Sequence, residues 1–274
     1  MKAACRQLTR AGKTLGFVPT MGALHEGHFS LVRASRSRCD ATTVSIFVNP
    51  LQFGPTEDLS KYPRPLERDA ELLEGLGVDL LFMPTVDEMY PAGARTHVLV
   101  EGLSDKLDGA SRPGHFRGVT TVVTKLFEIV RPDCAFFGQK DAAQVAVLRK
   151  LVTDLDMDVE LVVCPIVRET DGLAMSSRNI YLTPEQRQQA LVLQRALMRV
   201  QMAAEQGERD AAKLGAIARQ VIAEERGAHL DYVAIVDPET LDPVGDVSRG
   251  TLVAVAAYFG TTRLIDNVVI AGGR

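Results

Sequence analysis

The chain has 274 residues, of which 46% are hydrophobic and 24% charged, and its formal net charge is −4. That is ordinary globular composition, with enough apolar material for one large domain or two modest ones. The small acidic balance, with lysine and arginine spread along the chain, argues against a nucleic-acid-binding body, and no apolar run approaches the roughly 20 residues of a membrane span.

Strand-like and helical patterns alternate through the first two thirds. Leu15–Val18 is a short apolar run ahead of a loop containing Pro and Gly, and residues 28–38 turn helical, with Phe29, Leu31 and Val32 apolar. Thr43–Val48 is rich in β-branched residues and reads as a buried strand that Asn49-Pro50 ends. A polar loop leads to a helix over about 65–76, with proline acceptable in its first turn, and then to a strand at Val78–Met83 stopped by Pro84. Thr120–Val130 is helical, Cys134–Phe137 is a strand closed by Gly138, residues 141–155 are helical, and Val159–Val163 completes the series. Repeated strand–helix–strand units predict a parallel sheet with helices on both faces. The last third differs. Pro184 to Arg226 reads as two helices broken near Gly207, and Asp231–Val236, Thr251–Phe259 and Arg263–Ile270 are β-like, which predicts a smaller α+β domain. The expected domains are residues 1–167 and 168–274.

In a parallel sheet of this kind ligands bind beyond the C-terminal ends of the strands. The polar motifs of the first two thirds follow those strands. After the first comes Pro19-Thr20-Met21-Gly22-Ala23-Leu24-His25-Glu26-Gly27-His28. Its glycines let backbone approach a ligand, and the helix that follows presents free N–H groups and a positive dipole end to an anion. His25 and His28 can both donate to oxygens that gain charge during phosphoryl or nucleotidyl transfer. The competing reading is a pair of surface or capping histidines. A zincin is excluded, because its H-E-x-x-H pattern needs histidines four apart. After the second strand, the amides of Asn49 and Gln52 suit a substrate bearing hydroxyl and carboxylate groups, with turn chemistry as the alternative. Asp58, Tyr62, Arg64 and Asp69 fall on a loop and helix start and are expected at a solvated surface, although a carboxylate there could help to hold magnesium. Arg112-Pro113-Gly114-His115-Phe116-Arg117-Gly118 reads as a mobile basic loop, either an anion clamp or simply solvated. Phe137-Gly138-Gln139-Lys140-Asp141, with Gln144 a turn later, opens a helix and would aim the Lys140 ammonium at phosphate. Ala174-Met175-Ser176-Ser177-Arg178-Asn179 offers two hydroxyls and a guanidinium, which can bracket a triphosphate.

The four cysteines, Cys5, Cys39, Cys134 and Cys164, lie far apart and form no C-x-x-C pair, so they are expected to be reduced and structural. The N-terminus does not read as a signal peptide, and a cytoplasmic location is expected.

The H-x-G-H motif after the first strand, together with the later Met-Ser-Ser-Arg loop, resembles the nucleotidyltransferase superfamily, which includes the class I aminoacyl-tRNA synthetases. More closely, the segments Pro19–His28, Val44–Gly54, Tyr62–Arg64, Arg112–Val119, Arg131–Gln144 and Asp171–Leu182 are similar to the pantoate–β-alanine ligase family, and weaker similarity continues to Gly260–Asn267. The resemblance implies a Rossmann-like N-terminal domain, a smaller C-terminal lid domain, a homodimer, and ATP and magnesium as reactants. It implies that Met21, Gly22, Ala23, Leu24, His25, Glu26, Gly27 and His28 line the ATP site, with Gly138, Gln139, Lys140 and Asp141 on ribose and phosphates. Val167 would meet adenine, and Met175, Ser176, Ser177 and Arg178 would close on the triphosphate. Gln52 and Gln144, with Asn49 and Arg112 nearby, would hold pantoate and β-alanine, and Asp69 is the residue left to meet magnesium. On that reading His28, His25, Lys140 and Arg178 stabilise developing phosphate charge, with no nucleic-acid or membrane partner. Another H-x-G-H nucleotidyltransferase with a different small substrate, or a non-catalytic nucleotide-binding regulator, are the alternatives. An assay for pyrophosphate and AMP with pantoate, with and without β-alanine, separates them.

Overall fold

The structure is a computed structural model that describes residues 1–55, 57–247 and 250–270. In chain order its first elements are α1 (Lys2–Arg10), β1 (Leu15–Thr20), α2 (Glu26–Arg38), β2 (Ala41–Ile46), α3 (Leu66–Gly75) and β3 (Leu80–Phe82). Then come α4 (Val86–Met89), α5 (Asp108–Ser111), α6 (His115–Val130), β4 (Cys134–Gly138), α7 (Ala142–Asp154) and β5 (Glu160–Cys164). The C-terminal elements are α8 (Pro184–Ala190), α9 (Val192–Glu205), α10 (Ala211–Ala223), β6 (Ala228–Val236), β7 (Thr251–Phe259) and β8 (Thr262–Ile270).

The alternation of β1 decides which helices cover the sheet. Phe17 meets Phe127 of α6 edge-on at 6.4 Å, and Phe127 meets Phe137 of β4 at 6.5 Å. Val18 points the other way, into a cluster with Leu31 and Val32 of α2 and Leu73 of α3. Each such fully buried side chain contributes about 1.5–3 kcal/mol of transfer free energy, so both faces must be covered. β1 pairs in parallel with β2 from Leu15↔Ala41 to Thr20↔Ile46, and with β4 through Gly16↔Cys134 and Phe17↔Ala135. The strand order is β3-β2-β1-β4-β5, all parallel, so the winding reverses between β1 and β4. That reversal opens a crevice at the C-terminal ends of these two strands, where doubly wound sheets take ligands. The expected α/β fold, a parallel sheet with helices on both faces followed by a smaller α+β portion, is the one found.

By contact density the chain forms two compact units, Met1–Gly138 with Val147–Pro165, and Gln139–Ala146 with Ile166–Arg274, of which 271–274 lie outside the described residues. The second unit has an antiparallel sheet, β6-β7-β8, with a core that α9 and α10 share with Val253, Val255, Ala257 and Phe259 of β7.

Several boundaries differ from the sequence reading. Helix α1 is absent from it, since Cys5 is its only buried side chain and five of its nine residues are polar. The second strand ends at Ile46, not Val48. Residues 184–223 make three helices instead of two, because the helix breaks at Leu191, which ends α8 and caps α9. Helix α6 starts at His115, five residues before the expected start, so the supposed basic loop is largely a helix entry with Gly114 left-handed at its cap.

Gly118 shows how tightly α6 is held. A Cβ there would lie 2.3 Å from the carbonyl oxygen of Leu51 and 2.6 Å from the Gln52 nitrogen, both in the 3-10 turn Pro50–Gln52. Gly118→Ala is expected to destabilise the chain by about 1–3 kcal/mol, as overpacking against fixed backbone does, measurable as a lowered urea midpoint with unchanged m-value.

Candidate active site

In the N-terminal unit the loop from β1 to α2 passes through two left-handed residues, Gly22 (φ 83°) and Ala23 (φ 51°). Alanine holds such a conformation only when its surroundings enforce it. Here the force is Asp69 of α3, which is fully buried and whose two carboxylate oxygens accept the N–H groups of Ala23 (2.7 Å) and Leu24 (3.0 Å). The sequence reading placed Asp69 at a solvated surface or against magnesium. It is not solvated: it is buried and acts as a buckle for backbone. Among the described residues no three His, Cys, Asp or Glu side chains group as a metal site.

Helix α2 begins at Glu26, two residues earlier than expected, with His25 as its N-cap. His25 Nδ1 accepts the Gly27 N–H at 3.1 Å, and His28 Nδ1 accepts the His25 N–H at 3.3 Å, a capping box made of two imidazoles whose ring centroids are 4.1 Å apart. A neutral imidazole that accepts at Nδ1 carries its proton on Nε2. Capping and function are therefore not alternatives, because the cap sets the tautomer that makes both rings Nε2 donors at a helix N-terminus. The Glu26 side chain is exposed and pairs with Arg33, and the Leu24 side chain is in the core.

Next to this loop is a buried amide network. Asn49 is 1% exposed, and its polar atoms are all engaged: Nδ2 donates to Gln52 Oε1 (3.1 Å) and to the Gly118 carbonyl (3.0 Å), and Oδ1 accepts from Leu51 N (3.3 Å) and the Tyr90 hydroxyl (2.8 Å). Burial pushes the Tyr90 phenol above its ordinary range, which keeps it a donor. Asn49 thus acts on Gln52 and turns its amide so that Nε2 donates to the Met21 sulfur at 3.0 Å. Thioether sulfur is a weak acceptor, so this N–H is only weakly held. Arg112 is not a loose cation. It makes a two-pronged pair with Glu57, Nε to Oε1 at 2.9 Å and Nη2 to Oε2 at 2.5 Å, and also donates to His115 Nε2 at 3.1 Å. His115 Nδ1 then donates to the Gln52 carbonyl at 2.8 Å. Gly138, at the end of β4, leaves open space where a side chain would project.

The remaining sequence-predicted residues belong to the C-terminal unit. Gln139–Asp141 form a 3-10 turn ahead of α7, with Lys140 Nζ 3.6 Å from Asp141 Oδ1, and Gln144 is half-buried a turn on. The Met175 N–H donates to the Val167 carbonyl at 3.0 Å, and Ser176 caps the 3-10 turn Ser177–Tyr181 by accepting the Arg178 N–H at 3.2 Å. Asn179 Nδ2 ties the same turn to the Ala174 carbonyl (3.1 Å) and to Glu169 (2.7 Å), and Arg187 pairs with Glu169 and Asp171. Lys140 and Ser176 line one narrow cavity. The sequence reading gave no role to Glu57, Tyr90, Glu169 or Arg187, because their partners lie far along the chain. No thiol is placed to react: burial raises Cys5 and Cys164 and lifts Cys39 to about 12, and protonated thiols are poor nucleophiles.

If Asp69 is a buckle, Asp69→Asn, which turns one acceptor into a donor facing a backbone N–H, is expected to destabilise the chain by about 1–3 kcal/mol. Urea unfolding should show that loss equally with and without magnesium, whereas a metal ligand would show it only in magnesium.

The whole chain also compares with known proteins. It matches the pantoate-beta-alanine ligase family over residues 1–269. It is 64% identical to the pantothenate synthetase of Koribacter versatilis (strain Ellin345) over 270 residues, 98% of this chain and 93% of that one. It is 56% identical to that of Acetivibrio thermocellus over 98% of this chain and 96% of the other. A crystal structure of pantothenate synthetase from Thermus thermophilus superposes with TM-score 0.92 at 49% identity, covering 96% of each chain. That of a Francisella tularensis pantoate-beta-alanine ligase, complexed with beta-gamma ATP and beta-alanine, does so with TM-score 0.78 at 34% identity, covering 97% of this chain and 95% of that one. By extent and identity alike, the chain belongs to the pantoate–β-alanine ligase family.

Proposed function

We propose that the chain, a ligase that joins pantoate to β-alanine at the expense of ATP, does so through a pantoyl adenylate, with the labour divided among the residues described above. A carboxylate is a poor electrophile, and an amine cannot expel oxide from it. One pantoate carboxylate oxygen therefore attacks the α-phosphorus of ATP. The bond from that phosphorus to the bridging oxygen breaks, and pyrophosphate leaves. The β-alanine amine, in its neutral form, then attacks the acyl carbon, AMP leaves with the electron pair of the acyl–oxygen bond, and solvent or a substrate phosphate takes the proton. No enzyme nucleophile is required. The protein positions the reactants and stabilises charge.

The observation that carries this reading is the double-imidazole cap of α2, which fixes two Nε2–H donors beside helix N–H groups at the carboxyl edge of the sheet. His25 and His28 are assigned to developing charge on the phosphates, with the backbone of Met21–Gly27 against the nucleotide. Gly138–Asp141 are assigned to ribose and phosphates, Val167 to adenine, and Met175–Arg178 to the triphosphate, with Lys140 and Arg178 as its cations. Gln52, whose amide Asn49 orients, is assigned to pantoate with Gln144, and Arg112 acts by holding the Gln52 segment. Magnesium is proposed to arrive with ATP as part of the substrate, held by phosphates and water, as that ion commonly is. A homodimer in the cytoplasm belongs to the same proposal, on the family resemblance. Among the described residues no helix is long and apolar enough to cross a membrane.

His28→Ala is expected to slow pantoate-dependent exchange of pyrophosphate into ATP by about 10²–10³-fold, the effect of removing one charge-stabilising donor. Unchanged exchange in a folded variant would take His28 out of the mechanism. Gln52→Ala and Gln144→Ala are each expected to raise KM for pantoate at least about tenfold while KM for ATP changes little, as loss of a ground-state substrate contact does. Equal rises for both substrates would contradict the assignment.

A further inference from the structure

We infer that Asp266 and Asn267, consecutive on β8, are positioning residues that together set the two anion-binding segments of the C-terminal unit. The pair is unexpected in an apolar strand, since each side chain is only 3% exposed. Successive strand residues face opposite ways, so two buried polar neighbours need separate partners. Each has them. Asn267 uses its whole amide on the turn that carries Lys140: Nδ2 donates to the carbonyl oxygens of Gln139 (3.0 Å) and Lys140 (2.9 Å), and Oδ1 accepts from Gln139 Nε2 (3.1 Å). Asp266 receives Arg168 in a two-pronged pair at 2.6 and 3.0 Å, and its Oδ1 also accepts the Asn267 N–H at 2.8 Å. Arg168 donates in turn to the Gly172 carbonyl at 3.1 Å and bridges Ala174 through its backbone, one residue before Met175.

Adjacent residues of one strand thus grip the backbone under Lys140 and the hairpin leading into Met175–Arg178. Lys140, Ser176 and Asp266 line the same cavity. A buried amide with every polar atom satisfied admits one geometry, and leaving its partners unpaired is costly. The carbonyls of Gln139 and Lys140 are thereby pinned, and with them the stem from which the ammonium reaches. Neither residue needs to touch a substrate, and the effect on rate comes through placement of the cations. This inference rests on the assignment of Lys140 to the ATP phosphates.

The test uses the full-length chain carrying Asn267→Asp, which keeps size and the acceptor toward Gln139 but loses both donations. Asn267→Ser serves as the gentler variant should the first fail to fold. Pyrophosphate exchange is expected to fall about tenfold or more in kcat, with KM for pantoate unchanged, as misplacement of a charge-stabilising group does. The rate of Lys140 acetylation by acetic anhydride, read by mass spectrometry against the other lysines, is expected to change several-fold. In the double variant with Lys140→Ala, the Asn267 substitution should cost less than about twofold further, because coupled residues are not additive. Parental exchange and parental Lys140 acetylation in a folded Asn267 variant would overturn the inference, as would full additivity with Lys140→Ala. A Lys140→Ala variant that exchanges normally would remove the lysine from the proposed mechanism, and the acetylation rate would then decide the positioning claim by itself.

Discussion

The arrangement at the carboxyl edge of the parallel sheet depends on one buried carboxylate. A buried carboxyl group is tolerated where its oxygens are hydrogen-bonded, and each oxygen of Asp69 accepts one of two consecutive backbone N–H groups. That contact holds Ala23 in a left-handed conformation it would otherwise leave, and it sets the direction in which the chain enters α2. The loop and the helix are coupled further by the histidines, which accept the N–H groups that an isolated helix start leaves open. The neighbouring elements β1 and α2 and the more distant α3 therefore have to be in place before the motif has its shape.

The same logic recurs beside it. Asn49 looks in sequence like a substrate-binding amide, but in the folded chain each of its polar atoms already has a partner, and its contribution is to orient Gln52. Arg112 looks like a free cation and is committed to Glu57. In both cases a residue of the right chemical type serves the Gln52 segment, the one proposed to meet pantoate. Asn49 in turn is held by Tyr90 and Gly118, and the Gln52 carbonyl by His115, all far along the chain.

That distance explains what was legible in the sequence and what was not. The alternation of β-branched strands with helical patterns gave the parallel sheet, and Gly and Pro at strand ends marked where its loops begin, because both signals are local. The H-x-G-H segment was legible because glycines, histidines and a helix start fall within ten residues. Asp69 was misread as solvated because its partners, Ala23 and Leu24, lie 46 and 45 positions away. Helix α6 begins earlier than its pattern suggests because Gly114 and His115 read as loop, while the buried face that includes Phe116 and Val119 shows only in the folded chain. Asp266 and Asn267 carried a signal that went unused: two adjacent polar residues interrupting an apolar strand of the smaller domain.

The imidazole cap carries one more implication. Because His25 and His28 both accept backbone N–H groups at Nδ1, adding a second proton to either ring would set a donor against a donor at the first turn of α2. The start of α2 therefore depends on both rings keeping Nδ1 as an acceptor.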